Sequence, residues 1–435
     1  MTADVQRELA EAAWRWVLDQ VRYDDGPWIP ASVTEGLVSE PGWDRDGMHS
    51  GAGGLAHVLA EIRASRPWTD QEALLAEAIG ARVRRSIGHQ ADASFFDGLV
   101  SSIGVLVALQ HPGAEEAVAR LVRLADADGW AQTALEGDRY LPGARINDLT
   151  VGTAGVVLGA VWAHRHDVTG AAELAATAAE VLVGEAERTP AGTTWPFVPA
   201  RFLAEPPGTQ MPNLSHGLAG VALVLALAGT ELDRPDLVAI ARSGAEHLVS
   251  LADINDDGFV VARTIPPAPD LDEVTYTWCH GPTGTSLLFR ALERAGVESL
   301  AGEPPASWQR RCLHSARTSG LPARLRPGFW DNDGRCCGTA GVGDVFLDSW
   351  HHSGNEGDLA FALELADTLV ERAIVDGDRA CWRFIEHRAA DPLLPPGVGW
   401  MQGAAGIAAY LFHVSRVAGD PAAVAVPRID NWWAL

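Results

Sequence analysis

Residues 279–292 read CHGPTGTSLLFRAL, and in this stretch Gly281 and Gly284 precede a run of small and apolar residues. The same Gly-x-x-Gly start recurs along the chain at steps of between 50 and 65 residues. The copies begin at Gly51 and Gly54, Gly152 and Gly155, Gly217 and Gly220, Gly281 and Gly284, Gly338 and Gly341, and Gly403 and Gly406, with a degenerate copy at Ser101 and Gly104. Self-similarity of this kind indicates an architecture of seven repeated units.

A second helical stretch accompanies the glycine motif in each period. In residues 171–187, for example, Leu174, Ala178 and Leu182 recur at helical spacing, which is typical of an amphipathic helix. The second stretches are 3–22, 71–88, 113–125, 171–187, 235–251, 305–319 and 358–375. The motif helices are apolar nearly all round, which indicates burial. Seven buried helices ringed by seven amphipathic ones predict an all-α fold, the α/α toroid, in which ring closure removes the need for capping repeats. No linker interrupts the units, so residues 1–435 are predicted to form a single domain.

The glycines have a predicted role at the helix starts. Glycine admits backbone angles that other residues avoid, and it lets the chain pass close to a neighbour. If rotation relates the units, all inner helices begin at one end of the ring, which we call the mouth. There we expect partial positive charge and free N–H groups. Pro-rich insertions at 189–212, 262–274 and 389–398 are longer than ordinary helix connections, and such loops often carry substrate recognition.

Composition excludes several classes of protein. The net charge is −24, which argues against binding to a nucleic-acid backbone. All 33 basic residues are arginine, so Schiff-base chemistry on lysine is excluded. The sequence has no run of 18 apolar residues, so it predicts no transmembrane helix. The amphipathic N-terminus with its acidic residues does not resemble a signal peptide. The odd number of cysteines, five, favours a reducing compartment, and we expect a cytoplasmic protein.

Three of the five cysteines lie at motif starts. Cys279 precedes Gly281 in Trp-Cys-His-Gly, and Cys336 and Cys337 precede Gly338 in Arg-Cys-Cys-Gly. Three thiolates suit Zn²⁺ with one open position, which is typical of a catalytic rather than a structural zinc. A closed zinc site or a buried core cluster is the alternative. Cys312 and Cys381 lie in no motif and are expected in the core.

The motifs together resemble the lanthionine synthetase C-like family, which comprises lanthipeptide cyclases and their eukaryotic glutathione-binding relatives. The resemblance runs from about residue 40 to the C-terminus and rests on Asn147-Asp148, Ser215-His216-Gly217, Trp278-Cys279-His280-Gly281 and Cys336-Cys337-Gly338. The family implies a double α-barrel with one zinc ion. It also implies addition of a cysteine thiol to dehydroalanine or dehydrobutyrine, which gives a thioether.

The resemblance also implies roles for single residues. Cys279 and Cys336 match the first two zinc ligands, and Cys337 stands where the family usually has a histidine. His216 matches the acid/base histidine, and Asp148 matches the conserved acidic residue.

Two positions depart from the bacterial pattern. Thr275 stands where many family cyclases have an arginine. His280 follows the first ligand, as in the eukaryotic relatives, where many bacterial cyclases have a tyrosine.

Several alternatives stay open at this stage. His216 suits protonation of an enolate because the pKa of histidine lies near working pH, but it could also be a helix-start residue bonded to a neighbouring carbonyl. Asp148 could orient His216, accept the proton of the incoming thiol, or cap a helix. Asn147, His49 and His280 are expected to line the mouth.

The substrate is also open between three readings. The protein could cyclise a dehydrated precursor peptide, or it could add glutathione or another small thiol to a dehydroamino acid. As a third hypothesis, it could be a non-catalytic scaffold that binds a peptide. Nothing in the chain resembles a dehydratase or kinase module, so a cyclase of this form would receive its substrate from a separate dehydratase.

Overall fold

The computed structural model describes residues 1–34, 40–42, 44–133, 135, 137–205, 207–255, 257–269, 271–323, 332–385, 390–420 and 422–435. Within these ranges the chain forms fourteen α-helices: α1 (Ala3–Gln20), α2 (Leu55–Ser65), α3 (Asp70–Ser86), α4 (Leu99–Leu109), α5 (Ala114–Leu124), α6 (Thr153–Arg165), α7 (Ala171–Gly184), α8 (Leu218–Glu231), α9 (Pro235–Leu251), α10 (Pro282–Arg294), α11 (Pro305–Arg317), α12 (Thr339–Ser353), α13 (Glu356–Arg372) and α14 (Ala404–Gly419). None of the helices in these ranges is both long and apolar enough to cross a membrane.

The even-numbered helices form a closed inner ring. Each contacts the next one along the chain, and α14 returns to contact α2. The odd-numbered helices pack outside them: α5 lies on α4, α7 on α6, α9 on α8, α11 on α10 and α13 on α12, while α1 packs on α14. The first outer helix therefore covers the last inner one, so the two ends of the chain close the ring. The predicted α/α toroid is confirmed.

Burial separates the two rings as the sequence predicts. On α8 every residue from Leu218 to Gly229 is buried. On α5 only the stripe of Ala114, Ala117, Val118 and Leu121 is buried, at the spacing of one helix face. The inner helices are thus enclosed on all sides, whereas each outer helix buries one face against them.

Strands are few and short in the described residues, where they pair as three antiparallel hairpins. The strands are β1 (Glu187–Thr189), β2 (Gly192–Thr194), β3 (Ile374–Asp376), β4 (Arg379–Cys381), β5 (Arg383–Ile385) and β6 (Leu393–Pro396). They pair as β1 with β2, β3 with β4 and β5 with β6. The hairpins follow α7 and α13 and lie between outer and inner helices in the chain order, so they extend connections without adding a layer.

The motif glycines are required by close backbone approach rather than by unusual dihedral angles. The glycine that precedes each inner helix has φ between −86° and −149°, which any residue adopts. A Cβ on Gly281 would overlap the carbonyl oxygen of Thr275, and one on Gly284 would overlap that of Trp278. The preceding loop folds back over each helix start, so only the second of the two expected roles applies.

The same loops use the helix N–H groups that were expected to be free. The first N–H of α6 donates from Thr153 to the carbonyl of Ile146, and that of α12 donates from Thr339 to Asn332, both at 2.9 Å. In each pair the acceptor lies seven residues before the donor. Pro282 begins α10 and has no N–H to offer. The expectation of free N–H groups at the mouth is therefore wrong, because the connecting loops satisfy them.

The second repeat begins three residues earlier than the sequence indicated. Gly98 precedes α4, and the N–H of Leu99 donates to the carbonyl of Asp92, as in the other repeats. Ser101 replaces the second glycine, and its hydroxyl accepts a 2.9 Å hydrogen bond from the N–H of Met48. The copy is therefore Gly98 and Ser101, and the assignment to Ser101 and Gly104 was wrong.

The C-terminal segment, residues 428–434, lies inside the ring. The guanidinium of Arg428 is 3.3 Å from Glu61 on α2 and 3.2 Å from Asp344 on α12. The ring centroid of Trp432 lies 6.3 Å from that of Trp162 on α6. Since these contacts reach helices on different sides of the ring, the segment fills part of its interior below the mouth.

Candidate functional site

The mouth is lined by the two residues that precede each inner-helix glycine. In the described repeats these pairs are His49 with Ser50, Phe96 with Asp97, Thr150 with Val151, Ser215 with His216, Cys279 with His280, Cys336 with Cys337, and Met401 with Gln402. Because the repeats share one loop geometry, equivalent positions come to the same end of the ring. The reactive residue types predicted from the sequence are concentrated at these positions, in repeats four to six.

Three thiols form a cluster at the mouth. The Sγ atoms of Cys279 and Cys337 lie 3.2 Å apart, and those of Cys337 and Cys336 lie 3.4 Å apart. Cys279 is 4% exposed and Cys337 is 2% exposed, whereas Cys336 is half-buried. Cys312 and Cys381 are buried elsewhere, on α11 and β4. The cluster is therefore enclosed on one side and accessible on the side of Cys336.

The three thiols could hold a metal ion. Their sulfur atoms all lie within 4.8 Å of one another. Hydrogen bonds from Cys336 and Cys337 hold the pKa of Cys279 well below its usual range. The pKa of Cys336 is raised, first by its hydrogen bond to Cys279, and that of Cys337 is raised, first by burial. One thiolate is thus stabilised by two thiols, and a soft, thiophilic cation fits a donor set of this chemistry.

His216 is held by Asp148 across two repeats. Its Nδ1 lies 2.5 Å from Oδ2 of Asp148 and 3.0 Å from the hydroxyl of Thr150. The other oxygen of Asp148 accepts a 2.9 Å hydrogen bond from the N–H of Val151. The carboxylate is therefore fixed by its own loop before it reaches the imidazole, which leaves Nε2 of His216 on the side away from Asp148.

The pKa of His216 is raised by its partner. Burial alone would lower it, but the hydrogen bond and the charge of Asp148, together with the charge of Cys279, outweigh that effect. The side chain keeps 31% of its surface exposed. A histidine in this setting stays protonated at higher pH than a free one, so it can deliver a proton at neutral pH.

His280 lies beside His216 in a different environment. The centroids of the two imidazole rings are 5.5 Å apart. His280 is 8% exposed, and burial lowers its pKa to about 4. Its Nδ1 has no hydrogen-bond partner among the residues that the structure describes. The pKa values of the two neighbouring histidines are therefore shifted in opposite directions.

His49 and Asn147, which were also expected to line the mouth, lie in different places. His49 is half-buried, its Nδ1 is 2.8 Å from the hydroxyl of Ser50, and its ring packs against Phe96. Asn147 is buried, and its amide donates to the carbonyl of Pro196 at 2.9 Å. His49 thus lies at the mouth, while Asn147 ties the insertion at 189–212 to the loop of repeat three.

Sequence reasoning did not single out Thr150, Ser215 or Arg263. Thr150 and Ser215 occupy the repeat position of Cys279, two residues before the glycine, so aligning the repeats would have found them. Arg263 belongs to the insertion at 262–274, which follows no period. Its positive charge lowers the pKa of His216 and that of His280, in each case less than burial does.

Proteins of known structure share the fold of this chain. In overall structure the chain is similar to a nisin cyclase, with a TM-score of 0.57 and 13% identity over 85% of this chain and 89% of that one. It is also similar to a glycoside hydrolase family 76 mannosidase from Bacteroides thetaiotaomicron VPI-5482, with a TM-score of 0.53 and 12% identity over 96% and 97%. At such identities the likeness shows the fold alone, and the two neighbours carry different activities in their names.

Sequence comparison is more specific than the fold. No curated protein matches the chain. The family model of the lanthionine synthetase C-like proteins matches residues 42–427, which is most of the chain. The chain therefore belongs to the lanthionine synthetase C-like family.

Proposed function

We propose that the protein is a zinc-dependent cyclase that adds a peptide cysteine thiol to dehydroalanine or dehydrobutyrine and forms lanthionine or methyllanthionine rings. The observation that carries the proposal is the three-thiol cluster beside the His216–Asp148 pair at one mouth. Family membership supports it. The likeness to nisin cyclase adds support only for the fold.

Cys279, Cys336 and Cys337 would hold the Zn²⁺. Bound there, the ion would lower the pKa of a coordinated substrate thiol, which would then be presented as a thiolate. The half-buried Cys336 leaves the cluster open on one side, where that thiol would enter. The thiolate-rich ligand set favours a strong nucleophile over strong Lewis acidity.

His216 would protonate the α-carbon after the thiol adds. Its raised pKa keeps the donor form present near neutral pH. Asp148 would orient it, because both carboxylate oxygens already accept hydrogen bonds from Val151, Thr150 or His216. A carboxylate with this many partners is poorly placed to take the proton of an incoming thiol as well.

Two other functions are distinguished by the product. An enzyme that adds glutathione would use the same thiol cluster, and His280 resembles the residue found in the glutathione-binding relatives. A peptide-binding scaffold would use the mouth without chemistry. For the cyclase and for the glutathione-adding enzyme, a separate dehydratase would supply the dehydroamino acid.

One incubation separates these functions. The full chain is mixed with a peptide that contains one dehydroalanine and one cysteine, in the presence of glutathione. We expect the free thiol of the peptide cysteine to disappear while the peptide mass stays unchanged. A mass gain of one glutathione would favour thiol addition between molecules, and an unchanged peptide would favour the scaffold.

The metal is tested on the same preparation. We expect close to one Zn²⁺ per chain by elemental analysis, lost in Cys336→Ala and kept in Cys381→Ala. Cys381 is the matched control because it is buried outside the cluster. Full zinc in the Cys336 variant would contradict the assignment of the ligands.

A further inference from the structure

Thr277 places a buried hydroxyl against the thiol cluster. Its Oγ1 lies 3.4 Å from Sγ of Cys279. Thr277 is 1% exposed, so this contact is shielded from water. In the part of the chain that the structure describes, Thr277 is the only residue other than a cysteine whose side chain hydrogen-bonds to a sulfur of the cluster. One thiol therefore has a polar partner that is not itself a metal ligand.

The loop that carries Thr277 is fixed to the start of α10. The carbonyl of Thr277 accepts a 3.1 Å hydrogen bond from the N–H of Gly281. The neighbouring carbonyl of Tyr276 accepts a 2.6 Å hydrogen bond from the hydroxyl of Thr283. Because these two contacts hold the backbone on either side of the Thr277 side chain, the fold itself keeps the hydroxyl beside the sulfur of Cys279.

The same contact occurs in the third repeat. Thr277 lies four residues before Gly281, and in the third repeat Asp148 lies four residues before its glycine. Asp148 also contacts the side chain two residues after it, where it accepts a 2.9 Å hydrogen bond from the hydroxyl of Thr150. In both repeats this position therefore supports the residue two places further on, and in the fifth repeat that residue is the thiol of Cys279.

The direction of this hydrogen bond follows from the chemistry of a metal-bound thiol. A coordinated thiol has lost its proton, so its sulfur can only accept a hydrogen bond. The hydroxyl of Thr277 would then be the donor to Sγ of Cys279. Three thiolates concentrate negative charge in a largely buried place, where an unpaired charge is costly, and a charge-assisted hydrogen bond offsets part of that cost.

We propose that Thr277 is a positioning residue for the metal centre, whose hydroxyl donates to the thiolate of Cys279, orients that ligand and limits the electron density that it gives to the ion. The inference rests on the proposed function, because it requires the cluster to hold Zn²⁺. Removal of a group that hydrogen-bonds to a metal ligand typically weakens metal binding by about 10- to 100-fold. Loss of the hydroxyl should therefore weaken zinc binding and change the bonding between sulfur and metal, although Thr277 itself coordinates nothing.

The experiment compares Thr277→Val, which has nearly the same shape without the hydroxyl, with Thr277→Ser, which keeps the hydroxyl. In competition with a chelator, we expect the Kd for Zn²⁺ to rise about 10-fold in Thr277→Val and to stay near the wild-type value in Thr277→Ser. With Co²⁺ in place of Zn²⁺, the sulfur-to-cobalt charge-transfer band should move to lower energy in Thr277→Val, because the sulfur lone pairs lose a stabilising donor. Thr277→Ser should show the band at its wild-type position.

Thr283→Val is the matched control. Thr283 is fully buried and its hydroxyl holds the same loop, but this hydroxyl donates to a carbonyl and not to a sulfur. We expect Thr283→Val to lower the melting temperature and to leave the charge-transfer band and the Kd for Zn²⁺ unchanged. An equal band shift in Thr283→Val, or no shift in Thr277→Val, would overturn the role of Thr277.

The metal measurements also separate this inference from the proposed function. A wild-type protein that binds zinc but forms no thioether would overturn the cyclase function, while the Co²⁺ spectra would still decide the role of Thr277. A wild-type protein that binds no zinc would overturn both. Should Thr277→Val not fold, Thr277→Ala is measured in the same way, and the band position and the Kd for Zn²⁺ decide.

Discussion

Two opposing effects act on the imidazole of His216. Burial disfavours its charged form, but Asp148, at 2.5 Å, and the charge of Cys279 together favour that form more strongly, and the net result is a raised pKa. The ring of His280 lies 5.5 Å away, yet its pKa is lowered because no carboxylate compensates its burial. One contact with a carboxylate therefore accompanies pKa shifts of opposite sign in two neighbouring imidazoles.

Replacement of His216 tests its role as the acid. We expect His216→Gln to keep its zinc and to form product about 10²- to 10⁴-fold more slowly, since a positioned acid usually contributes that much. His247→Gln is the control, because His247 is a half-buried histidine on α9 whose Nδ1 lies 3.3 Å from the hydroxyl of Thr189. In D₂O the His216 variant should also lose stereochemical purity at the α-carbon. Wild-type rate and stereochemistry would assign His216 a structural role.

The pH profile checks the contribution of Asp148. If His216 donates the proton as proposed, its protonated form is the active one, and kcat should decline as pH rises through its raised pKa. Asp148→Asn removes the charge that raises this pKa, and the declining limb should move to lower pH. The ion pair also stabilises the fold: its contribution is fully present below the ordinary pKa of about 6.5 and is lost as pH rises through the raised value. An unshifted limb in Asp148→Asn would contradict this coupling.

At the scale of the element, each inner helix is defined by the loop that folds back over its start. The carbonyl groups of that loop accept the first helix N–H groups, and the two glycines leave room for them. The reactive side chains stand in the last two positions of the loop, so the element that begins the helix also sets their direction. Loss of a motif glycine should therefore affect stability and site together.

Gly284→Ala tests this coupling. The added methyl group would overlap the carbonyl oxygen of Trp278, and because the obstacle is backbone, we expect a loss of about 3 kcal/mol in the free energy of unfolding. Gly184→Ala at the end of α7 is the control, since no atom lies within 4 Å of its added methyl group. That change should be neutral or stabilise by up to about 1 kcal/mol, because alanine is the better helix former. Urea denaturation of both variants gives the comparison, and equal stabilities would contradict the role of the glycine.

Periodic features could be read from the sequence, and single contacts could not. The stretch 171–187 predicted α7, which spans Ala171–Gly184, because its apolar stripe repeats at helical spacing. Gly104 was misleading because it resembles a motif glycine, whereas it gives room to Ile429 of the C-terminal segment. The fold-back that places Gly98 at the helix start depends on a backbone hydrogen bond, which leaves no signal in residue type.

The same distinction between periodic features and single contacts applies to the candidate site. Cys279, Cys336 and Cys337 could be grouped because each lies in a motif, and the structure brings their sulfur atoms together. The insertion at 262–274 is non-periodic, and hydrogen bonds from Asn213 to the carbonyls of Val261 and Ala262 join its start to the loop of His216. A residue that reaches a site through an irregular loop has no spacing by which the sequence could reveal it.

At the scale of the whole molecule, buried ion pairs join distant parts of the chain inside the ring. Arg428 contacts both Glu61 and Asp344, while Arg416 pairs with Glu61 at 2.6 Å and Arg335 pairs with Asp344. Burial would raise the pKa of Asp344, but the charges of Arg335 and Arg428 hold it well below its usual range. The network thus connects α2, α12 and α14 with the C-terminal segment.

Arg428→Met tests whether this network makes the ring one cooperative unit. Removal of the guanidinium leaves Glu61 and Asp344 buried with one cationic partner fewer, and we expect a loss of about 3 kcal/mol, the low end for breaking a buried pair, because Arg416 and Arg335 remain. Arg7→Met is the control: Arg7 pairs with Asp4 on the surface, where a pair contributes less than about 1 kcal/mol. We propose that residues 1–435 are a single domain, so calorimetry of both variants should show one transition, displaced to lower temperature only in Arg428→Met. Two resolved transitions would instead mean that the C-terminal segment and α2 belong to units that melt separately. Loss of the Arg428 contact would then lower the melting temperature of one unit and leave that of the second unchanged.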